Sequence, residues 1–73
     1  MRGEKQIRRV SLTVPPERAG QKVDTLLRKE LGLSGTVIRR IKWLDDGILL
    51  DGERVFTSRR VEPGQMLTVR LSD

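Results

Sequence analysis

The segment LSGTVIRRIKW, residues 33–43, concentrates side chains that can contact a polyanion. It contains Arg39, Arg40 and Lys42 together with Trp43, the only tryptophan of the chain. Guanidinium and ammonium groups pair with phosphates, and an indole ring can stack on an unpaired base. These residue types favour a nucleic acid as ligand, and the competing interpretation is an ordinary solvated helix face.

The spacing of these residues predicts an amphipathic helix with its basic side chains on one face. At about 100° per residue, four side chains fall within about 100° of one another. They are Thr36, Arg39, Arg40 and Trp43. The expected buried stripe is Val37, Ile41 and Leu44, flanked by Ile38. We therefore expect the tryptophan to lie among the arginines and away from the core.

The start of this helix and the preceding helix extend the candidate surface. Ser34 is the expected N-cap, and with Gly35 and Thr36 it would offer hydroxyl and N–H groups to a phosphate. The preceding helix would present Lys22, Thr25 and Lys29 on its outer face, with Arg28 at the border. The candidate binding residues, named here the helix-pair surface, are Lys22, Lys29, Ser34, Thr36, Arg39, Arg40, Lys42 and Trp43.

The composition argues against an enzyme that acts alone. The chain has no histidine and no cysteine, so it lacks the commonest general bases, nucleophiles and zinc ligands. Asp45 and Asp46 would point about 100° apart on a helix, so we expect two solvated carboxylates rather than an acid/base pair. No glycine run has the spacing of a phosphate-binding loop. We expect no catalytic residue, no metal and no cofactor.

Charge is distributed unevenly along the 73 residues, which carry a net +5. Residues 1–42 hold eleven bases and four acids, whereas residues 43–73 hold four bases and six acids. Such asymmetry indicates a basic face that meets a polyanion, and solubility alone is the simpler alternative. No apolar run is long enough to span a membrane, and the N-terminus lacks the pattern of a secretory signal, so we expect a cytoplasmic protein.

The order of hydrophobic patterns predicts a single α+β domain over residues 1–73, arranged β-α-α-β-β-β. A leading strand is expected at 7–14, a pair of helices at 21–46, and a hairpin with a closing strand at 48–71. Asp51-Gly52 is a hairpin-turn signal, and EPGQ, residues 62–65, has the type II turn pattern. Two helices would pack on one face of a small, mostly antiparallel sheet.

The same order of motifs resembles the S-four RNA-binding domain, also called the αL motif. Lys22–Asp24 is similar to the Arg-Leu-Asp opening of that family's first helix, and Leu33–Gly35 is similar to the Leu-Ser-Arg start of its second helix. GILLDGERV, residues 47–55, resembles the family hairpin, and VEPGQMLTV, residues 61–69, resembles its closing turn and strand. The resemblance makes structured RNA, ribosomal RNA above all, the expected ligand of the helix-pair surface.

The leading strand resembles the N-terminal part of ribosomal large-subunit pseudouridine synthases of the RluA/RluD type. That likeness implies a targeting module whose catalytic domain, with the catalytic aspartate, lies outside this chain. Asp24 is then expected to interact electrostatically with the N-terminus of the helix or to pair with a basic side chain. Two alternatives stay open: a stand-alone ribosome-associated RNA-binding factor, and a basic module that binds an acidic protein.

Overall fold

The computed structural model describes residues 7–72 and contains two helices and one four-stranded antiparallel sheet, which confirms the α+β class. A 3-10 turn at Pro16–Arg18 precedes the first helix. The elements in chain order are β1 Ile7–Thr13, α1 Val23–Lys29, α2 Gly35–Ile41, β2 Ile48–Leu50, β3 Glu53–Arg54 and β4 Met66–Ser72.

Strand β4 is central in the sheet, whose order is β1-β4-β2-β3. It pairs with β1 from Ile7 opposite Ser72 to Thr13 opposite Met66. On its other side it pairs with β2, and β2 continues into β3 through a tight turn. The sheet therefore depends on a long-range pairing between the two ends of the described chain.

The hairpin turn has the backbone conformation that its sequence predicts. Asp51 and Gly52 both have positive φ, at 52° and 83°, as a two-residue turn of type I′ requires. The Asp51 carboxylate also accepts a hydrogen bond from the Met66 N–H at 2.9 Å, and its own N–H donates to the Met66 carbonyl at 2.8 Å. Asp51 thus connects the hairpin tip to the start of β4.

Alternation along the strands separates the core from the outer face of the sheet. Leu67 and Val69 of β4 are fully buried, whereas the Thr68 hydroxyl lies on the opposite face, 3.1 Å from that of Ser11. Full burial of one such leucine contributes about 2 kcal/mol. The buried residues are Val14, Val23, Leu26, Leu27, Ile38, Ile41, Ile48, Leu50, Val55, Val61, Leu67 and Val69.

The start of α1 is held by the loop that precedes β4. Its N-cap, Lys22, makes no capping bond with its side chain. Instead, the Val23 N–H donates to the Arg59 carbonyl at 2.8 Å, and the Asp24 N–H donates to the Thr57 carbonyl at 3.1 Å. Main-chain carbonyls thus satisfy helix N–H groups that a side chain would otherwise cap.

The helical region expected at 21–46 contains two helices of seven residues each. Gly32, at φ 68°, turns the chain after α1. The second helix ends at Ile41, because the Leu44 N–H donates to the Ile41 carbonyl and the Gly47 N–H donates to the Leu44 carbonyl in tight turns. The chain after Ile41 therefore follows the helix rather than forming part of it.

Candidate nucleic-acid interface

The buried side of α2 differs from the predicted stripe. Ile38 and Ile41 are buried, whereas Val37 and Leu44 are only half-buried. Because α2 contacts both α1 and β4, its apolar arc is wide and centres on the two isoleucines. The predicted stripe of Val37, Ile41 and Leu44 was therefore centred wrongly, because Ile38 and Ile41 are the most buried residues of α2.

This orientation leaves the basic group of α2 facing away from the core. Thr36, Arg39 and Arg40 are exposed, and Trp43 exposes 74% of its surface. At 100° per residue, the centre of the three members on α2, Thr36, Arg39 and Arg40, lies about 180° from the midpoint of the two buried isoleucines. The four side chains are therefore available to a ligand without any rearrangement of the core.

Lys42 and Trp43 form a cation–π pair just after α2. The Lys42 ammonium lies 5.4 Å from the centroid of the indole ring. Lys42 itself is half-buried, and its charge lies over the ring. One face of the indole is covered by this ammonium, and the opposite face could receive a base.

Ser34 acts as the N-cap of α2, as predicted. Its Oγ accepts a hydrogen bond from the Val37 N–H at 3.3 Å. That N–H is consequently not free for a phosphate, as the predicted cap implies. The hydroxyl hydrogen of Ser34 and the exposed hydroxyl of Thr36 keep their ability to donate.

Lys22, the N-cap of α1, and Lys29 in its last turn are exposed, and Thr25 is half-buried. Arg28, expected at the border, instead reaches the start of α2. A Cβ placed on Gly35 would lie 3.5 Å from a guanidinium nitrogen of Arg28. The Arg28 guanidinium therefore lies close to the first residue of α2.

Asp24 pairs with the arginine one turn later in α1. Its carboxylate accepts from the Nε of Arg28 at 3.2 Å and 3.3 Å, which confirms the expectation that Asp24 pairs with a base. Both side chains are substantially exposed, so this ion pair contributes little to stability. Its main effect is to orient the guanidinium of Arg28.

The cations of the helix-pair surface are free of carboxylate partners within residues 7–72. Ion pairs in this part of the chain join Arg9 and Arg70 to Asp46, Arg18 to Glu30, and Arg28 to Asp24. None of them involves Lys22, Lys29, Arg39, Arg40 or Lys42. Cations left without carboxylate partners produce a positive potential that attracts anions.

Asp46 is not the solvated carboxylate that its position in the sequence suggested. It accepts from Arg70 at 2.8 Å and from Arg9 at 2.9 Å, and its side chain is 35% exposed. Hydrogen bonds from Arg70 and then from Arg9 hold the pKa of the Asp46 carboxyl below its ordinary value of 3.8. Asp46 thus ties the segment after α2 to paired positions on β1 and β4.

The sequence reasoning overlooked a further basic segment, RVFTSRR, residues 54–60. Its residues Arg54, Phe56, Arg59 and Arg60 are exposed. Backbone pairing places Arg60 beside Lys22 at the start of α1. The available signal was a stretch with three arginines and no acid, although its proximity to α1 follows only from the tertiary fold.

The part of the chain that the structure describes has neither a carboxylate cluster for a metal ion nor a helix that could span a membrane. Residues 7–72 contain no group of three or more acidic side chains arranged to hold a metal ion. Within the same range, neither helix has the length and apolar character needed to cross a bilayer.

No protein-family model matches the chain, and comparisons with curated proteins and with solved structures give no match.

Proposed function

We propose that this domain binds structured RNA, specifically ribosomal RNA in the cytoplasm, through its helix-pair surface. The main support for this proposal is a set of exposed cations that form no salt bridge within residues 7–72: Lys22, Lys29, Arg39 and Arg40. These cations lie on two helices that contact each other, and Trp43 is exposed beside them.

The mechanism of recognition is electrostatic and depends on shape. The deep major groove of an A-form helix hides its base edges, so a rigid surface reads phosphate positions and 2′-hydroxyls more readily than sequence. The buried residues Ile38 and Ile41 fix α2 on the core, which keeps Arg39 and Arg40 in place. If about four phosphates are neutralised, the log–log dependence of affinity on salt has a slope of about −3 to −4.

More specifically, we propose that the domain has the αL arrangement of an S-four domain and serves as the targeting module of a pseudouridine synthase. It rests on the resemblance of the motifs, and two local features support it. Asp51-Gly52 forms the hairpin turn, and Gly64, at φ 88°, stands at the third position of the turn before β4. In this role the domain holds the RNA while a separate catalytic domain isomerises a uridine.

Charge reversal on α2 tests the proposed function. Arg39→Glu combined with Arg40→Glu should abolish gel-shift binding to a large-subunit ribosomal RNA transcript and leave the circular dichroism spectrum unchanged. The milder pair, Arg39→Gln with Arg40→Gln, removes two phosphate contacts. It should make the salt slope about 1.4 to 1.8 less negative.

The matched control is a single reversal on the edge strand. Arg39→Glu and Arg8→Glu change the net charge equally, but Arg8 lies on β1 opposite Leu71 rather than on a helix. We expect a large loss of affinity for the first variant and a small one for the second. Equal losses would show attraction by net charge alone, and unchanged binding by the double Glu variant would refute this surface. Heparin as a competitor, compared at several salt concentrations, separates recognition of RNA shape from binding of any polyanion.

A further inference from the structure

The 54–60 segment, which runs from the end of β3 into the loop before β4, presents several exposed side chains. It carries three arginines and no acid, and Phe56 within it is 63% exposed. The Arg54 guanidinium lies over the Phe56 ring, with its central carbon 5.6 Å from the ring centroid. An aromatic ring with a cation beside it is a stacking platform for a nucleic-acid base.

Backbone hydrogen bonds hold this segment in a fixed conformation. The Arg59 N–H donates to the Phe56 carbonyl at 3.0 Å and closes a turn. The carbonyls of Thr57 and Arg59 accept from the first N–H groups of α1. This arrangement explains the main-chain path of the segment, but it does not require an exposed phenylalanine or exposed arginines.

The segment is continuous with the basic face of α1. Lys22 and Arg60 occupy paired positions in an isolated antiparallel bridge. The Arg60 guanidinium donates to the Gly20 carbonyl at 2.8 Å, which holds this charge beside the start of α1. Ion pairs within residues 7–72 do not involve Arg54, Arg59 or Arg60, so their charges are also uncompensated there.

We propose that the 54–60 segment binds an unpaired stretch of the same RNA, with one base stacked on Phe56 and its phosphates near Arg59 and Arg60. The inference rests on the proposed function and extends it, because it specifies folded RNA with an adjoining single strand. Charge complementarity selects this occupant: three arginines without an acid match a phosphate backbone, and the ring accepts any base.

The test compares two RNA probes by fluorescence anisotropy: a blunt hairpin, and the same hairpin with a short unpaired uridine tail. Wild-type protein should bind the tailed hairpin about tenfold more tightly, as expected for stacking of one base. Phe56→Ala should lose this gain while keeping its affinity for the blunt hairpin. Arg59→Gln with Arg60→Gln should reduce the gain in affinity from the tail and should make that gain less dependent on salt.

Met66→Ala is the matched control, because Met66 is another exposed apolar side chain, 43% exposed, and lies in β4 opposite Thr13. This variant should retain the full gain from the tail. Arg39→Glu with Arg40→Glu should weaken binding of both hairpins. Equal wild-type affinity for the two hairpins, or a gain that survives Phe56→Ala, overturns this inference alone. Failure of wild-type protein to bind either hairpin overturns the proposed function together with it.

Discussion

Gly47 stands where the segment after α2 enters β2, and its replacement by alanine should be severely destabilising. A Cβ at this position would overlap the Ile41 carbonyl oxygen and lie 2.8 Å from the carbonyl carbon and 3.1 Å from the Leu44 Cβ. The Ile41 group is main chain at the end of α2, so no rotamer change relieves the overlap. Relief requires the helix end and the strand start to separate.

The size of the effect follows from the bonds that this separation strains. The Gly47 N–H donates to the Leu44 carbonyl at 3.2 Å, and the Gly47 carbonyl accepts from the Arg70 N–H at 2.9 Å. Loss of two such bonds costs about 2 kcal/mol, and overpacking adds about 1–3 kcal/mol. A domain of this size has a free energy of unfolding of about 4–11 kcal/mol, so Gly47→Ala removes a large part of it.

Urea unfolding followed by circular dichroism measures this effect, with Gly35→Ala as the matched control. A Cβ at Gly35 meets only the Arg28 guanidinium, at 3.5 Å, which is an ordinary contact. Alanine there should raise the free energy of unfolding by about 0.4–1 kcal/mol, because alanine has less conformational freedom than glycine in the unfolded chain. If Gly47→Ala lowered the free energy of unfolding by less than about 1 kcal/mol, the steric reasoning would be wrong.

Two further predictions concern Ser34, which caps the start of α2, and Asp46, in the segment after α2. Asp46→Asn should lower stability at neutral pH, because Arg70 and Arg9 bind the ionised carboxylate and so stabilise the fold above the ordinary pKa of the group. The difference in stability from wild type should close as pH falls through the lowered pKa of Asp46. A difference independent of pH would contradict the pairing with Arg9 and Arg70. Ser34→Ala should cost about 1 kcal/mol in thermal unfolding, since it removes the cap on Val37. Ser34→Asp should keep the cap but weaken RNA binding, and stability unchanged by Ser34→Ala would argue against the cap.

Local signals in the sequence were sufficient to predict the turns and the strand faces. Asp51-Gly52 adopts positive φ at both residues because few other pairs tolerate that conformation. Alternation placed Leu67 and Val69 in the core, as expected for a sheet covered on one face. These features depend on near neighbours, so a single sequence is enough to predict them.

Features that depend on tertiary contacts were not accessible in the same way. The centre of the buried stripe of α2 follows from its simultaneous packing on α1 and β4, which no helical wheel contains. Asp46 meets Arg9, 37 residues away, and Arg70, 24 residues away, only when the sheet is assembled. The position of Arg60 beside Lys22 likewise required the fold.

The candidate contacts on α2 could be predicted because they depend on helical periodicity. Thr36, Arg39 and Arg40 are all exposed, as the spacing indicated. The position of the Arg28 guanidinium beside Gly35 could not be predicted, since a helical wheel describes one helix and not its neighbour.

The central claim is that the two helices present one RNA-binding face, and an NMR titration tests it most directly. Uniformly ¹⁵N-labelled protein, titrated with structured ribosomal RNA at moderate salt, reports on each backbone amide. We predict that the largest shifts fall on residues 34–43 and around Lys22 and Lys29, and that they diminish as salt is raised. Shifts confined to β1 and the outer face of β4, or a spectrum unchanged by RNA, would contradict the account.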